Sequence, residues 1–372
     1  MKKKIEGSLI SYMSNLVKQN GGINCAQGIP GFDPPRELIE ELRNVAYENC
    51  HQYAPGCGLP ELRKLIAENT GENTHSDNVL ITNGATEAIS LIYLYIKNNS
   101  GTRITTLGFD PVYESYFNLP KIYGDKFIRF EKETDGTIDF DHLEKTVAKE
   151  KVKIIFMSSP GNPYGKIFDK NSVEKIVDIC RKNNCFLIFD AVYSEIYFSD
   201  PPYLPVSKPD KNIFFVSAFS KMLSITGWRL GFLTAHAEHI AKLSEIHDYT
   251  GLSSPSVLQK AVFKYLNKSC YGKDYTRSLR TEIKQTFDIM AKELRNIQFF
   301  IPETEGGYFI WAKLPPSFDD GLNFALELYE KTKVATVPGI HFSTNYKKWI
   351  RINVARDAGE ITEAAERIKN FI

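Results

Sequence analysis

The chain has 372 residues, 42% of them hydrophobic and 24% charged, with 46 Lys and Arg against 45 Asp and Glu. That length exceeds what one core usually serves and predicts a large domain with a smaller one. A net charge of +1 provides no field to draw nucleic acid or an acidic membrane, so the expected substrate is a small molecule.

No run of about 18 apolar residues exists to span a membrane. The basic start Met1-Lys2-Lys3-Lys4 lacks the apolar stretch and cleavage site of a signal peptide. The six cysteines form no CxxC pair and no cluster with histidine, which predicts reduced thiols in a cytoplasmic protein and no metal site.

Taken in chain order, Ile5, Leu9, Ile10, Met13 and Leu16 stand at helical spacing and predict a helix over about 5–18, stopped by Asn20-Gly21-Gly22. The stretch Cys25 to Pro35 is too rich in Gly and Pro for regular structure; such a shaped loop either connects elements or brings backbone close to a ligand. Helices are predicted over about 36–48 and, after the turn holding Tyr53-Ala54-Pro55-Gly56, through Asn69. Tyr53 by itself reads as a packing or interface aromatic. Val79 to Thr82 is a short strand whose end, Asn83-Gly84-Ala85-Thr86, turns into a helix running to about Lys97. A glycine there lets free backbone N–H groups meet an anion at the positive end of the helix, while Asn83 or Thr82 could equally serve as an ordinary cap.

A strand over 103–107 ends in a loop from Gly108 to Tyr116 that sets aromatics at the same sheet edge, where Tyr113 could cover a flat ring or pack in the core. Phe127 to Phe130, the turn Asp135-Gly136 and a helix over about 140–149 lead to a central strand over 152–157. Its end holds Asn162 in a Pro-flanked turn, with an amide that can donate to a ligand or simply make the turn. After a helix over about 172–183, the strand Phe186 to Phe189 ends in Asp190, with Tyr193 three residues on. A carboxylate so placed can pair with a protonated ring nitrogen or cap the next segment.

The run Ile213 to Val216 reads as a buried strand that delivers Lys221 to a strand terminus, with Ser220 beside it and Arg229 eight residues on. A desolvated lysine is the amine that forms Schiff bases, and an arginine fork suits a phosphate; pyridoxal phosphate needs both. Otherwise Lys221 is one cation of 46 on a surface loop. A strand over 230–234 and helices over about 238–248, 256–266 and 275–297 follow. The last third mixes strand-like stretches at 306–312, 334–337 and 350–354 with helices over 321–332 and 361–372, as a small α+β domain would.

Each signal alone has a plain reading, but strand ends in order offer Gly84, Tyr113, Asn162, Asp190 with Tyr193, and Lys221 with Arg229. On these residues, and on Gln27-Gly28-Ile29-Pro30, Tyr53-Ala54-Pro55, Asn162-Pro163-Tyr164-Gly165 and Arg351-Ile352-Asn353, nearly the whole chain resembles the fold-type I pyridoxal-phosphate enzymes of the class I/II aminotransferase family. The resemblance implies an α/β fold: a large domain over 38–270 with a mostly parallel seven-stranded sheet flanked by helices, and a small α+β domain built from 1–37 and 271–372. It also implies that Lys221 carries the pyridoxal 5'-phosphate cofactor as a Schiff base and shuttles a proton. Asp190 would hold the ring nitrogen, Asn162 and Tyr193 its phenolic oxygen, and Tyr113 would stack on the ring. The phosphate would sit at Gly84 on the N–H groups of Ala85 and Thr86, with Ser220 and Arg229. Arg351 would take the substrate carboxylate with the backbone near Gly28 and Ile29, and Tyr53 would reach the phosphate of the neighbouring subunit in a homodimer.

Ala218 departs from the pattern: the family usually has Ser, Thr or Gly three residues before the lysine, so one phosphate hydroxyl is missing unless Ser217 replaces it. The segments 27–32, 109–116 and 305–309 look most similar to the branch of methionine, glutamine/kynurenine and aromatic aminotransferases. No second arginine for a distal carboxylate stands out in 247–255. The expectation is therefore ping-pong transfer of an amino group from an uncharged L-amino acid to a 2-oxo acid, with aspartate-type transamination or a pyridoxal-phosphate-dependent C–S or β-lyase as alternatives.

Overall fold

The computed structural model describes residues 7–101, 103–132, 136–206 and 210–372. The first predicted helix is α1 (Leu9–Asn20); its expected start at Ile5 and Glu6 lies outside the described residues, as does Asp135 of the expected turn. The chain continues through β1 (Ile23–Asn24), α2 (Arg36–Val45) and α3 (Pro60–Thr70). α2 ends three residues before the predicted limit because Tyr47 and Glu48 close tight turns onto Asn44 and Val45 instead of bonding one helical turn back.

The alternation that follows builds one sheet. In order come β2 (Val79–Thr82), α4 (Ala85–Ser100), β3 (Thr105–Phe109), α5 (Glu114–Ile122), β4 (Lys126–Phe130), α6 (Phe140–Glu150), β5 (Val152–Ser158) and α7 (Lys170–Asn183). Then come β6 (Phe186–Asp190), β7 (Ile213–Ala218), the one-turn α8 (Phe219–Met222) and β8 (Gly231–Thr234). The seven strands lie in the order β2-β8-β7-β6-β5-β3-β4, and β8 alone runs antiparallel to its neighbours. Strand β7 is buried along its whole length, the burial on both faces that gives a parallel strand its continuous apolar run.

Two local expectations shift. β3 runs two residues further than predicted, through Gly108, a residue that reads as a turn. Here the Phe127 ring stands 3.0 Å from where a Cβ would be, so the glycine gives room for that ring inside the strand. Helix α5 replaces the end of an expected loop; Asp110-Pro111 before it and Pro120 in its last turn read as breakers, but Tyr116 is buried and fastens the helix to the sheet.

The remainder comprises α9 (Ala237–Thr250), α10 (Ser256–Lys268), α11 (Lys273–Asn296), β9 (Phe309–Lys313), α12 (Gly321–Thr332), β10 (Val334–Ala335), β11 (Val337–Pro338), β12 (Trp349–Asn353) and α13 (Ala358–Phe371). β9, β12 and β11 form an antiparallel sheet, and β10 pairs parallel with β1. The single strand expected at 334–337 is therefore two short strands in different sheets, split at the buried Thr336. β9 starts at Phe309 rather than Gly306, because Gly307 takes a φ of 70° that a strand does not hold.

We propose the domain limits 38–270 and 1–37 with 271–372, because one core is drawn from Leu38 to Leu266 and another from Ile23, Cys25 and residues Phe287 to Ile368. Among the described residues no helix is long and apolar enough to cross a membrane. The C-terminal ends of β2, β3, β5, β6 and β7 share one edge of the large sheet, where ligands of open α/β sheets gather.

Candidate active site

A cavity of about 240 Å³ opens at that edge. Ala85, Thr86, Ser220 and Arg229 line one end, Asp190, Tyr113 and Tyr193 the walls, and Gly28, Asn162, Lys221 and Arg351 also face it. Of the predicted residues, Gly84 lies just beneath the lining, Ile29 points its carbonyl at Asn353 Nδ2 (2.8 Å), and Tyr53 stands away from the cavity with 82% of its surface exposed.

The end formed by α4 is an anion cradle. Gly84 precedes the helix with φ 87° and ψ 168°, a region essentially reserved for glycine, and a Cβ there would meet Arg229 Nη2 at 2.5 Å. The alternative caps are otherwise engaged: Thr82 Oγ1 donates to Gly84 O at 3.1 Å, and Asn83 gives its side-chain N–H to Glu87 Oε1 at 3.0 Å. Neither of these bonds supplies an acceptor to the first turn of α4, and Ala85 and Thr86 of that turn line the cavity. Arg229 itself takes a left-handed φ of 52°, and its guanidinium is held by Thr226 O at 3.1 Å and Asn83 O at 3.3 Å. Beside it the hydroxyl of Ser220 is buried with no hydrogen-bond partner. An oxyanion would satisfy it.

Ser217 does not replace the missing hydroxyl. Its Oγ lies 3.4 Å from Ala191 O and does not line the cavity, whereas Ala218 does, since successive residues of β7 face opposite sides.

Asp190, at the end of β6, accepts hydrogen bonds from Tyr116 Oη at 2.7 Å and from the Val192 N–H at 3.0 Å. Burial pushes its carboxyl above the usual range, while those two donors and the charge of Lys221 pull it down. The ring of Tyr116 stacks on Phe156 with centroids 5.0 Å apart, which fixes the hydroxyl against the carboxylate. Tyr116 was not among the predicted site residues. It lies in the first turn of α5, three residues after Tyr113 at the helix boundary, and would have been set beside Tyr113 had α5 been legible.

Lys221 sits in the turn after β7, and its Nζ donates to Gly28 O at 2.6 Å. The same carbonyl accepts from Tyr308 Oη at 3.0 Å, another contact the sequence left unassigned. Tyr193 packs edge-to-face on Tyr308, with centroids 5.2 Å apart. Burial lowers the Lys221 amine to about 8, with Arg351 and Arg229 pushing the same way and Asp190 opposing. At neutral pH roughly a tenth of such amines are unprotonated, against well under a thousandth for an ordinary lysine.

Arg351, in β12, is fully buried. It donates to Asn162 Oδ1 at 2.8 Å and to Ala26 O at 2.5 Å, its Nε has no partner, and Phe309 lies 4.1 Å from the guanidinium. Burial lowers it to about 10. Among the described residues no carboxylate comes within ion-pair distance of it, an arrangement that suits an incoming anion.

These features fit a phosphorylated pyridine aldehyde: an anion cradle with an orphaned hydroxyl, a buried carboxylate facing a ring, and a buried amine of lowered pKa. A second anion site at Arg351 fits an amino-acid carboxylate. The model of the family described as aminotransferase class I and II matches residues 20–368. Among curated proteins, a probable aspartate aminotransferase of Methanocaldococcus jannaschii is 28% identical, over 99% of this chain and 98% of its own length. Among solved structures, the Thermus thermophilus aspartate aminotransferase with maleate superimposes with a TM-score of 0.91 at 20% identity, over 99% of this chain and 97% of its own. YbdL of Escherichia coli, identified as having a methionine aminotransferase function, gives a TM-score of 0.89 at 25% identity, over 99% and 97% of the two chains. The chain belongs to the class I and II aminotransferase family and is a pyridoxal-phosphate-dependent transaminase of fold type I.

Proposed function

We propose that the enzyme moves the amino group of an L-amino acid with an uncharged side chain, methionine-like or aromatic, to a 2-oxo acid in two half-reactions. The observation that carries this is the distribution of charge: Lys221, Arg229 and Arg351 are the cations lining the cavity among the described residues, and each has a place. Arg229 faces the phosphate cradle, Lys221 the reacting carbon and Arg351 the α-carboxylate, which leaves no further cation, among the described residues of one subunit, for a distal carboxylate.

Bound pyridoxal phosphate supplies an electrophilic carbon and a ring that accepts electron density. Lys221 Nζ, at its lowered pKa, takes and returns the proton at the substrate Cα. Asp190 would hold a positive charge at the ring nitrogen, Asn162 and Tyr193 would hold the phenolic oxygen, and Tyr113 would cover the ring. The N–H groups of Ala85 and Thr86, with Ser220 and Arg229, would retain the phosphate. Arg351, with the Gly28 backbone facing the same cavity, would orient the α-carboxylate so that the Cα proton lies toward Lys221; Ile29, engaged with Asn353, does not line the cavity.

The test is the visible spectrum of the holoenzyme given one amino acid and no 2-oxo acid. Methionine or phenylalanine should discharge the band of the lysine-bound cofactor faster than aspartate. The names of curated relatives favour aspartate as donor, and faster discharge by aspartate would establish that reading instead. Release of pyruvate and ammonia would mark a lyase.

Two substitutions probe the cradle. Gly84→Ala puts a Cβ into the Arg229 guanidinium at a φ that alanine resists, at a cost of about 1–3 kcal/mol. It is expected to raise the cofactor dissociation constant roughly tenfold or more and to lower the melting temperature. Ala218→Ser restores a hydroxyl where the chain has a methyl facing the cavity, and cofactor titration should show tightening by about fivefold, the worth of one hydrogen bond.

We further propose a homodimer in which Tyr53 reaches the neighbouring cavity. Tyr53, Tyr47 and Tyr249, at 82%, 87% and 93% exposure, offer aromatic surface for a subunit to cover. A monomer in sedimentation at micromolar concentration would count against it. All six cysteines are free thiols, which supports our placing the enzyme in the cytoplasm; recovery from a secreted fraction would overturn that.

A further inference from the structure

Glu114, the first residue of α5, lines the cavity and has no role in the assignment above. Its Oε2 lies 3.1 Å from His341 Nε2, and its side chain keeps 22% of its surface accessible. His341 Nε2 and Ser8 Oγ both stand near this carboxylate and neither makes a hydrogen bond of good geometry, so the carboxylate retains acceptor capacity toward the cavity. Burial pushes the Glu114 carboxyl up, but His341 above all, then Ser8 and last the Arg351 charge, outweigh burial and hold it below the ordinary carboxylate range.

Glu114 stands against His341, whose neighbour Phe342 packs on the Arg351 guanidinium with its ring centroid 5.1 Å away, so this carboxylate lies toward the Arg351 end of the cavity rather than the phosphate cradle. With the α-carboxylate on Arg351 and the α-amino group directed to Lys221, the substrate side chain meets the remaining wall. Among the described residues that wall offers Ile10 from α1, the Tyr113 ring, and Glu114 as its ionised group. An ionised acceptor there favours a donor and repels an anion, and a site built around one hydrogen bond rejects an isostere that lacks the donor far more strongly than an apolar pocket rejects a missing methylene.

We propose that Glu114 is a specificity-determining residue, whose carboxylate accepts a hydrogen bond from an N–H or O–H on the substrate side chain and turns away a distal carboxylate. The inference rests on the transaminase reading above and narrows it. Side-chain amides and ring N–H groups gain a partner that methionine and phenylalanine do not, while Ile10 and Tyr113 serve the apolar part of any of them.

Glutamine and glutamate test it, since they differ by an amide in place of a carboxylate. Wild-type holoenzyme is expected to show kcat/KM for glutamine at least about 100-fold above that for glutamate, the effect of setting like charges together. Glu114→Gln should lower that ratio at least tenfold. Calorimetric titration of the holoenzyme with the unreactive pair glutaramate and glutarate should shift in the same sense without turnover. The wild-type ratio and titration decide the matter even if the variant does not fold.

A wild-type enzyme that uses glutamate as well as glutamine would overturn the inference. So would a variant in which both substrates fall by one factor, the mark of a residue that only steadies Arg351. If no amino acid discharges the cofactor band, the transaminase substrate reading fails on its own, and the titration still judges Glu114.

Discussion

Lys221→Ala is expected to turn over at least about four orders of magnitude more slowly than wild type, because the residue is proposed as both the point of attachment and the acid-base group. No other lysine lines the cavity among the described residues, so no neighbour can substitute. The amine is set for this work by burial and by two flanking arginines, which bring it to about 8. The consequence is a specific pH dependence. Below that value the amine is protonated and cannot attack, so the rate at which apoenzyme takes up cofactor rises through pH about 8 and then levels. A surface lysine would give a rise near its ordinary value of about 10.4. Stopped-flow absorbance across that range distinguishes the two.

Linkage makes the same shift visible without cofactor. Between pH about 8 and the ordinary lysine value, the unfolded chain binds a proton at this position that the folded chain has lost. The apoenzyme therefore gains stability as pH rises through that window, and Lys221→Met removes this contribution to the slope. Melting curves of the two apoproteins at a series of pH values test it.

The parts of the site that stand at strand ends were legible because each is local. A buried apolar run followed at once by Asp190, by Gly84-Ala85-Thr86 or by Ser220-Lys221 places its own chemistry at the sheet edge, whatever the rest of the chain does. What escaped is what tertiary packing decides. Tyr116 and Glu114 belong to a helix concealed between prolines, and the bond from Tyr116 to Asp190 joins residues 74 positions apart. The isolation of Arg351 depends on Asn162, Ala26 and Phe309, which no window of sequence brings together. The Ser217 question, by contrast, could have been answered from alternation in β7, since adjacent residues of a strand do not face the same side.

On the proposed pairing of Asp190 with the ring nitrogen, Asp190→Asn is expected to lower kcat by roughly two to three orders of magnitude, comparable to removing one preorganised electrostatic partner from a buried site. The amide would keep the shape and an acceptor but could not balance a positive ring nitrogen. Tyr116 acts through this carboxylate. Its hydroxyl, 2.7 Å away, is one of two bonds that resist the upward push of burial on the Asp190 pKa. Tyr116→Phe removes that resistance, so the carboxyl is expected to titrate at higher pH and the acid limb of the kcat profile to move up. If Tyr116 works only through Asp190, the double variant is no slower than Asp190→Asn alone, and the cycle is strongly non-additive. Additive losses would mean that Tyr116 contributes to the reaction by another route, such as support of Tyr113, against which its ring packs with centroids 5.6 Å apart.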